Sequence, residues 1–145
     1  MMLLLSTCMI QEGRIPDDQR ATLEGALKTA IRDHVGDDAR LAVAWMMVPA
    51  GSGYSAGKPS TSSLVQLSVP DGFPQPARAA LMHDVNDRWC AITGQSPYEL
   101  MVSVPDRKAA QRMLKGMLEE VPLGQKPALL TNHVTQLVRS FAAGR

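Results

Sequence analysis

The chain repeats one pattern. Laid on itself at a shift of 58 residues, Pro16 falls on Pro74, Arg20 on Arg78, Ala21 on Ala79, Leu23 on Leu81 and Gly36 on Gly94. In each half an apolar run meets a glycine turn, a proline stands where a helix begins, and a glycine stands where it should stop. A second apolar run follows. Leu23, Ala26, Leu27, Ala30, Ile31 and His34 step along one helical face, and Ala77, Leu81, Val85, Trp89 and Ile92 do the same in the second half. Asp17 and Asp18 lie in the first turn of the first helix, where carboxylates suit the macrodipole. Strand-like runs cover roughly 2–10, 41–48, 63–69 and 98–104.

The expected order is therefore β-α-β, a connector, then β-α-β. The connector PAGSGYSAGKPSTSS (49–63) is rich in Gly, Pro and Ser and reads as a loop with room for a short hairpin. A cut there would leave each half with too little core. One α/β domain over 1–145 is the expectation, with repeat units at about 2–48 and 62–104. After Asp106 the apolar spacing changes, through Met113, Leu114, Met117 and Leu118 and then Leu130, Val134, Leu137, Val138 and Phe141. This predicts a C-terminal helical extension over about 107–143, split at Pro122-Leu123-Gly124, for packing or for a subunit contact.

Composition narrows the function. With 15 basic and 14 acidic residues spread along the chain, no stripe of one sign points to nucleic acid or to a membrane surface, and 4% aromatics leave little to stack on bases. The opening apolar run has no basic residue before it and no small-residue cleavage pattern after it. It is too short to span a bilayer, so it reads as a strand. Cys8 and Cys90 sit in apolar stretches as buried free thiols, and His34, His83 and His133 are far apart. No metal or cofactor is expected, and the thiols suit a cytoplasmic protein.

The segment EGRIPDDQRATLEGALKTAI (12–31) resembles the stretch after the first strand of 4-oxalocrotonate tautomerases, where Glu-Gly-Arg precedes an acidic helix start. RLAVAWMMVPAG (40–51) resembles the second strand and Pro-Ala-Gly turn of the cis-3-chloroacrylic acid dehalogenase group. GKPSTSSLVQLSV and ITGQSPYELMVSV have the look of the same tautomerase superfamily. The resemblance covers about residues 1–106. It implies a tautomerase-like fold of two fused β-α-β units, a homotrimer whose edge strands pair with neighbours, and a small keto or enol carboxylic acid as ligand. The ferredoxin-like sandwich, as a dimeric small-molecule-binding domain, shares the element order and is the alternative.

The family's chemistry, as the resemblance implies it, uses an amino-terminal proline as base or acid, with arginines holding the substrate carboxylate. Residue 2 here is Met, and counting back from Glu12 puts the proline position at Leu4. Met1, whose α-amine is the nearest amine, is then the candidate for moving the proton. Arg14 matches the motif arginine and is the candidate clamp, or else a solvated turn residue. In the second half the dehalogenase group's arginine positions fall on Pro70 and Phe73, and Arg78, which repeats Arg20, is expected to be structural. Tyr54 and Lys58, in the loop after the second strand, are further substrate-binding candidates. Glu99 is the carboxylate at the entry of the last strand. Three functions stay open: a keto-enol isomerase working without proline, a non-catalytic trimeric binding or structural member of the fold, and the ferredoxin-like dimer.

Overall fold

The computed structural model describes residues 1–144. The elements run β1 (Met2–Gln11), α1 (Asp17–Val35), β2 (Ala39–Val48), β3 (Tyr54–Ser55), β4 (Lys58–Pro59), β5 (Ser63–Leu67), α2 (Gln75–Thr93), β6 (Leu100–Ser103), α3 (Arg107–Glu119) and α4 (Lys126–Ala143). A single 3-10 turn, Pro97–Glu99, leads into β6. Both repeat helices begin directly after the prolines read as their start signals. They end at Gly36 and Gly94, and Gly94 is in the left-handed conformation. The connector forms the short hairpin β3–β4.

The main sheet has the order β2-β1-β5-β6. β1 and β2 are parallel, with Leu4 opposite Leu41 and Cys8 opposite Trp45; β5 and β6 are parallel, with Val65 opposite Val102. β1 and β5 are antiparallel, with Cys8 opposite Val65. The two β-α-β units therefore meet back to back, and one end of the sheet carries the finish of β1 beside the start of β5.

Alternation decides which side chains fill the core. Leu4, Cys8 and Ile10 of β1, Leu41 and Val43 of β2 and Val65 and Leu67 of β5 all point to one face. There they meet Leu23, Leu27 and Ile31 of α1 and Leu81, Val85 and Trp89 of α2. Trp45 stacks near Trp89 at 6.1 Å between ring centroids, joining the halves. The opposite parity of the sheet carries Leu3, Met9, Leu64 and Met101, of which Met101 is 67% exposed.

Polar bonds join the two helices at their outer surface. His34 Nε2 lies 2.9 Å from Asp84 Oδ2, and Arg88 reaches both Asp84 (2.7 Å) and Asp33 (2.9 Å). Arg88 hydrogen bonding, aided by His34, holds the Asp84 carboxyl below its ordinary range. Among the described residues no helix is long and apolar enough to cross a membrane.

Candidate functional site

At the finish of β1 the chain turns through Gly13, whose φ of +79° lies in the left-handed region that glycine tolerates. Ile15, only 3% exposed, pins the turn to the core before Pro16 starts α1. Arg14 is thus held between a tight turn and a buried anchor. Its Nη2 lies 3.9 Å from Glu99 Oε2, a long ion pair. Among the described residues no hydrogen bond is formed by this guanidinium, which leaves its five donors available to a ligand or to water.

Glu99 is itself well fixed. Its Oε2 accepts from the Ser96 backbone N–H at 2.9 Å in a capping box, and its Oε1 accepts from Thr61 Oγ1 at 3.4 Å. Beneath it lies Gln95, buried and fully bonded. Gln95 Oε1 accepts from the Trp89 indole N–H (2.8 Å) and from Ser63 Oγ (3.2 Å), and its Nε2 donates to the Thr61 carbonyl (3.3 Å). Gln95 therefore sets the height of Thr61 and, through it, of the Glu99 carboxylate.

The β3–β4 hairpin stands at the same end of the sheet. Gln11 Nε2 donates to the Ser60 carbonyl at 3.2 Å, and Ser60 N–H donates to Gly53 O at 3.0 Å. Gly53 is required there, because a Cβ would meet Ser60 O at 2.2 Å. Tyr54 and Lys58 ride on this hairpin. Both side chains are exposed, Tyr54 by 73%. The fold brings Arg14, Tyr54 and Lys58 to one end of the molecule, without enclosing the last two in a cavity.

Met1 is at the other end. Its amine lies 3.0 Å from Asp38 Oδ1. β1 has ten residues, and at about 3.3 Å per residue it separates Met1 from Arg14 by roughly 30 Å. Within one chain the expected pair of proton-moving amine and carboxylate clamp is not assembled. Leu4, at the position that the family resemblance gives to proline, is wholly buried in the middle of the core cluster.

Near the start of β1 the loop after β5 meets α3 and forms a cleft of about 410 Å³ lined by Asp71, Arg78, Asp106, Lys108 and Arg112. Arg78 donates to the carbonyls of Val104 and Phe73 and, at 2.6 Å, to Asp106, the structural role its repetition implied. Asp106 also accepts from Gly72 N–H at 3.2 Å; Arg78, then this backbone bond, keeps its carboxyl below the ordinary range. Asp71 accepts in turn from Lys108 N–H at 3.0 Å. Phe73 packs against the core. Cations reach this cleft from Lys108 and Arg112 of the extension, which sequence reasoning did not single out. Their four-residue spacing on a helix start was the available signal. A second groove of about 300 Å³ runs between α2 and β6, past Met82, His83 and Val102.

No protein-family model matches the chain, and no curated protein matches it. Solved structures do. N1, a member of the cis-3-chloroacrylic acid dehalogenase family, superposes with a TM-score of 0.65 at 15% identity, over 88% of this chain and 99% of its own. Native Ps01740 gives 0.64 at 23% identity, over 74% of this chain and 96% of its own. A fused 4-OT described as a symmetric trimer gives 0.61 at 23% identity, over 70% and 84%. At these identities the likeness is one of fold. The chain has the tautomerase fold, built from two fused β-α-β units, and it carries a helical extension on that frame.

Proposed function

We propose that this is a tautomerase-like protein that binds a small keto or enol carboxylic acid at Arg14 and assembles as a homotrimer in the cytoplasm. The observation that carries the reading is the Arg14 guanidinium, whose backbone is set by the Gly13 turn and Ile15 and which is paired only at 3.9 Å. A planar carboxylate matches its paired donors better than Glu99 does at that distance. A bound acid would take over those donors and leave Glu99 as the carboxylate beside it, the carbon that gains a proton on ketonisation being the one β to the acid's carboxylate. Orienting and polarising an enol in this way accelerates its protonation even without a dedicated amine.

The burial of Leu4 supports a second reading, in which the pocket binds without turnover. Ketonisation of phenylenolpyruvate separates the two, run on the purified protein beside Arg14→Ala with the buffer rate subtracted. Turnover that falls at least tenfold in the variant, about 1.4 kcal/mol of transition-state stabilisation, supports an active site at Arg14. Arg14-dependent binding of phenylpyruvate without turnover supports the non-catalytic reading. Neither turnover nor binding in either protein refutes both. Sedimentation equilibrium tests the trimer, and a dimer would refute the threefold assembly.

A further inference from the structure

α3 buries no residue of its own, so core packing does not explain why it is held where it is. Its first turn is nevertheless tied down at several points. Arg107 N–H donates to the Val69 carbonyl at 2.8 Å, and Lys108 N–H donates to Asp71 Oδ1 at 3.0 Å. Asp106, just before the helix, bridges to Val69 and accepts from Gly72 N–H at 3.2 Å. These bonds run along the loop after β5 and build the wall of the cleft of about 410 Å³.

The consequence is a fixed cationic face. Lys108 and Arg112 are four residues apart, so their side chains rise from the same side of α3, and both line the cleft. The other charged groups there are already engaged. Arg78 and Asp106 neutralise each other at 2.6 Å, and Arg78 also donates to the Val104 and Phe73 carbonyls. Asp71 holds the α3 backbone. Among the described residues the side chains of Lys108 and Arg112 form no hydrogen bond and no ion pair. Lys115, about one turn beyond Arg112, differs: it pairs with Glu119 at 3.9 Å and lies outside the cleft.

We propose that this cleft binds a phosphoryl dianion, as a small phosphomonoester or as the free ion, with Lys108 and Arg112 as its charged ligands. A phosphomonoester carries close to two negative charges at neutral pH and presents three acceptor oxygens. A guanidinium takes two of these side by side, while an ammonium takes the third as a point charge. A carboxylate, with one charge and two oxygens, satisfies only one of the two cations. The volume falls in the range of small-molecule sites, about 300–1,000 Å³, and leaves room for an organic part beside the phosphoryl group. The cleft lies near the start of β1 and Arg14 at its finish, so this inference stands or falls independently of acid binding at Arg14.

The test is calorimetric titration of the full chain in low salt at about pH 8, above the second phosphate pKa of about 6. The probes are phenyl phosphate, inorganic phosphate and acetate. The double variant Lys108→Gln/Arg112→Gln removes both ligands, and both side chains are exposed, so the fold should be retained. Lys115→Gln removes a charge from the same helix outside the cleft, and Arg14→Ala removes the cation at the other end of the sheet. The expected result is saturable binding of both phosphoryl probes, at least tenfold tighter than acetate and weakened at least tenfold in the double variant. Lys115→Gln and Arg14→Ala should each change it less than twofold. Tighter binding of phenyl phosphate assigns an ester and tighter binding of inorganic phosphate the free ion, and either supports the site. No saturable binding in the wild type, undiminished binding in the double variant, or an equal loss in Lys115→Gln or Arg14→Ala overturns the proposal. Acetate binding as tightly as phosphate overturns the dianion assignment.

Discussion

Replacing Gln95 by Leu should be among the most damaging conservative changes in the molecule. The volumes are close, so packing is nearly preserved, but every polar partner loses its bond. The Trp89 indole N–H is a donor with no other role, on a side chain that is 1% exposed; Ser63, at 3%, loses both of its bonds to Gln95. Leaving a buried donor or acceptor without a partner costs about 1–3 kcal/mol, so the indole and Ser63 together place the loss on the order of 3 kcal/mol. With an m value of about 2 kcal/mol/M, the urea midpoint should fall by about 1.5 M. Equilibrium urea denaturation followed by tryptophan fluorescence reads this directly. The mechanism is checked by repeating the substitution in a Trp89→Phe background, where the N–H is already gone. Gln95→Leu should then cost at least about 1 kcal/mol less, because residues sharing a hydrogen bond couple by roughly that amount. A midpoint shift below about 0.3 M, or identical losses in both backgrounds, would refute the reasoning.

The thiols should behave unequally: burial pushes Cys8 up to about 12, so it should stay inert to Ellman's reagent at pH 8 until urea unfolds the chain, whereas half-buried Cys90, also raised, should react slowly in the native state. Rapid native reaction of both thiols would contradict the burial. Asp84 is held below its ordinary value, so its bonds to Arg88 and His34 stabilise fully above about pH 4, and that stability is lost as pH falls through the lowered native value. The melting-temperature gap between wild type and Asp84→Asn should therefore be constant at pH 5–6 and close towards pH 2.5; a gap independent of pH down to 2.5 counts against the network. Gly53→Ala must displace the Ser60 carbonyl, found 2.2 Å from the new Cβ, so it should cost about 1–3 kcal/mol and speed exchange at the Ser60 amide. Wild-type melting in that variant would show that the hairpin base shifts freely.

Helix limits were readable because proline and glycine act on the local chain: Pro16 and Pro74 lack the N–H a preceding turn would need, and Gly36 and Gly94 accept backbone angles other residues avoid. The strands were readable because one face is buried, so their alternation survives in composition. Arg14 was legible through its local Glu-Gly-Arg setting. Glu99 stood out as the carboxylate at the entry of the last strand, but its pairing with Arg14 was not legible, since the two meet only when β1 and the entry of β6 reach the same end of the sheet. Gln95 left no signal, because a buried amide in a short turn looks like a solvent-facing one until Trp89 and Ser63 close on it. The same holds for Ser140 and Gln136: the 130–141 pattern showed an apolar stripe, and the polar residues between its members turned out to be the ones that meet β2.

The order of synthesis gives the bonds between α4 and the β2 edge a further meaning. β2 is complete at Val48, whereas the helix that covers its edge begins at Lys126 and contacts it through Gln136 and Ser140. At roughly 5–20 residues per second, a ribosome needs on the order of 5–20 s to travel from one to the other. Throughout that interval the β2 segment exists without the two side chains that accept from its outward amides. The Val43 and Trp45 N–H groups gain their side-chain acceptors only once residues 136–140 have been made, so protection of this edge comes from a segment about ninety residues later in the chain.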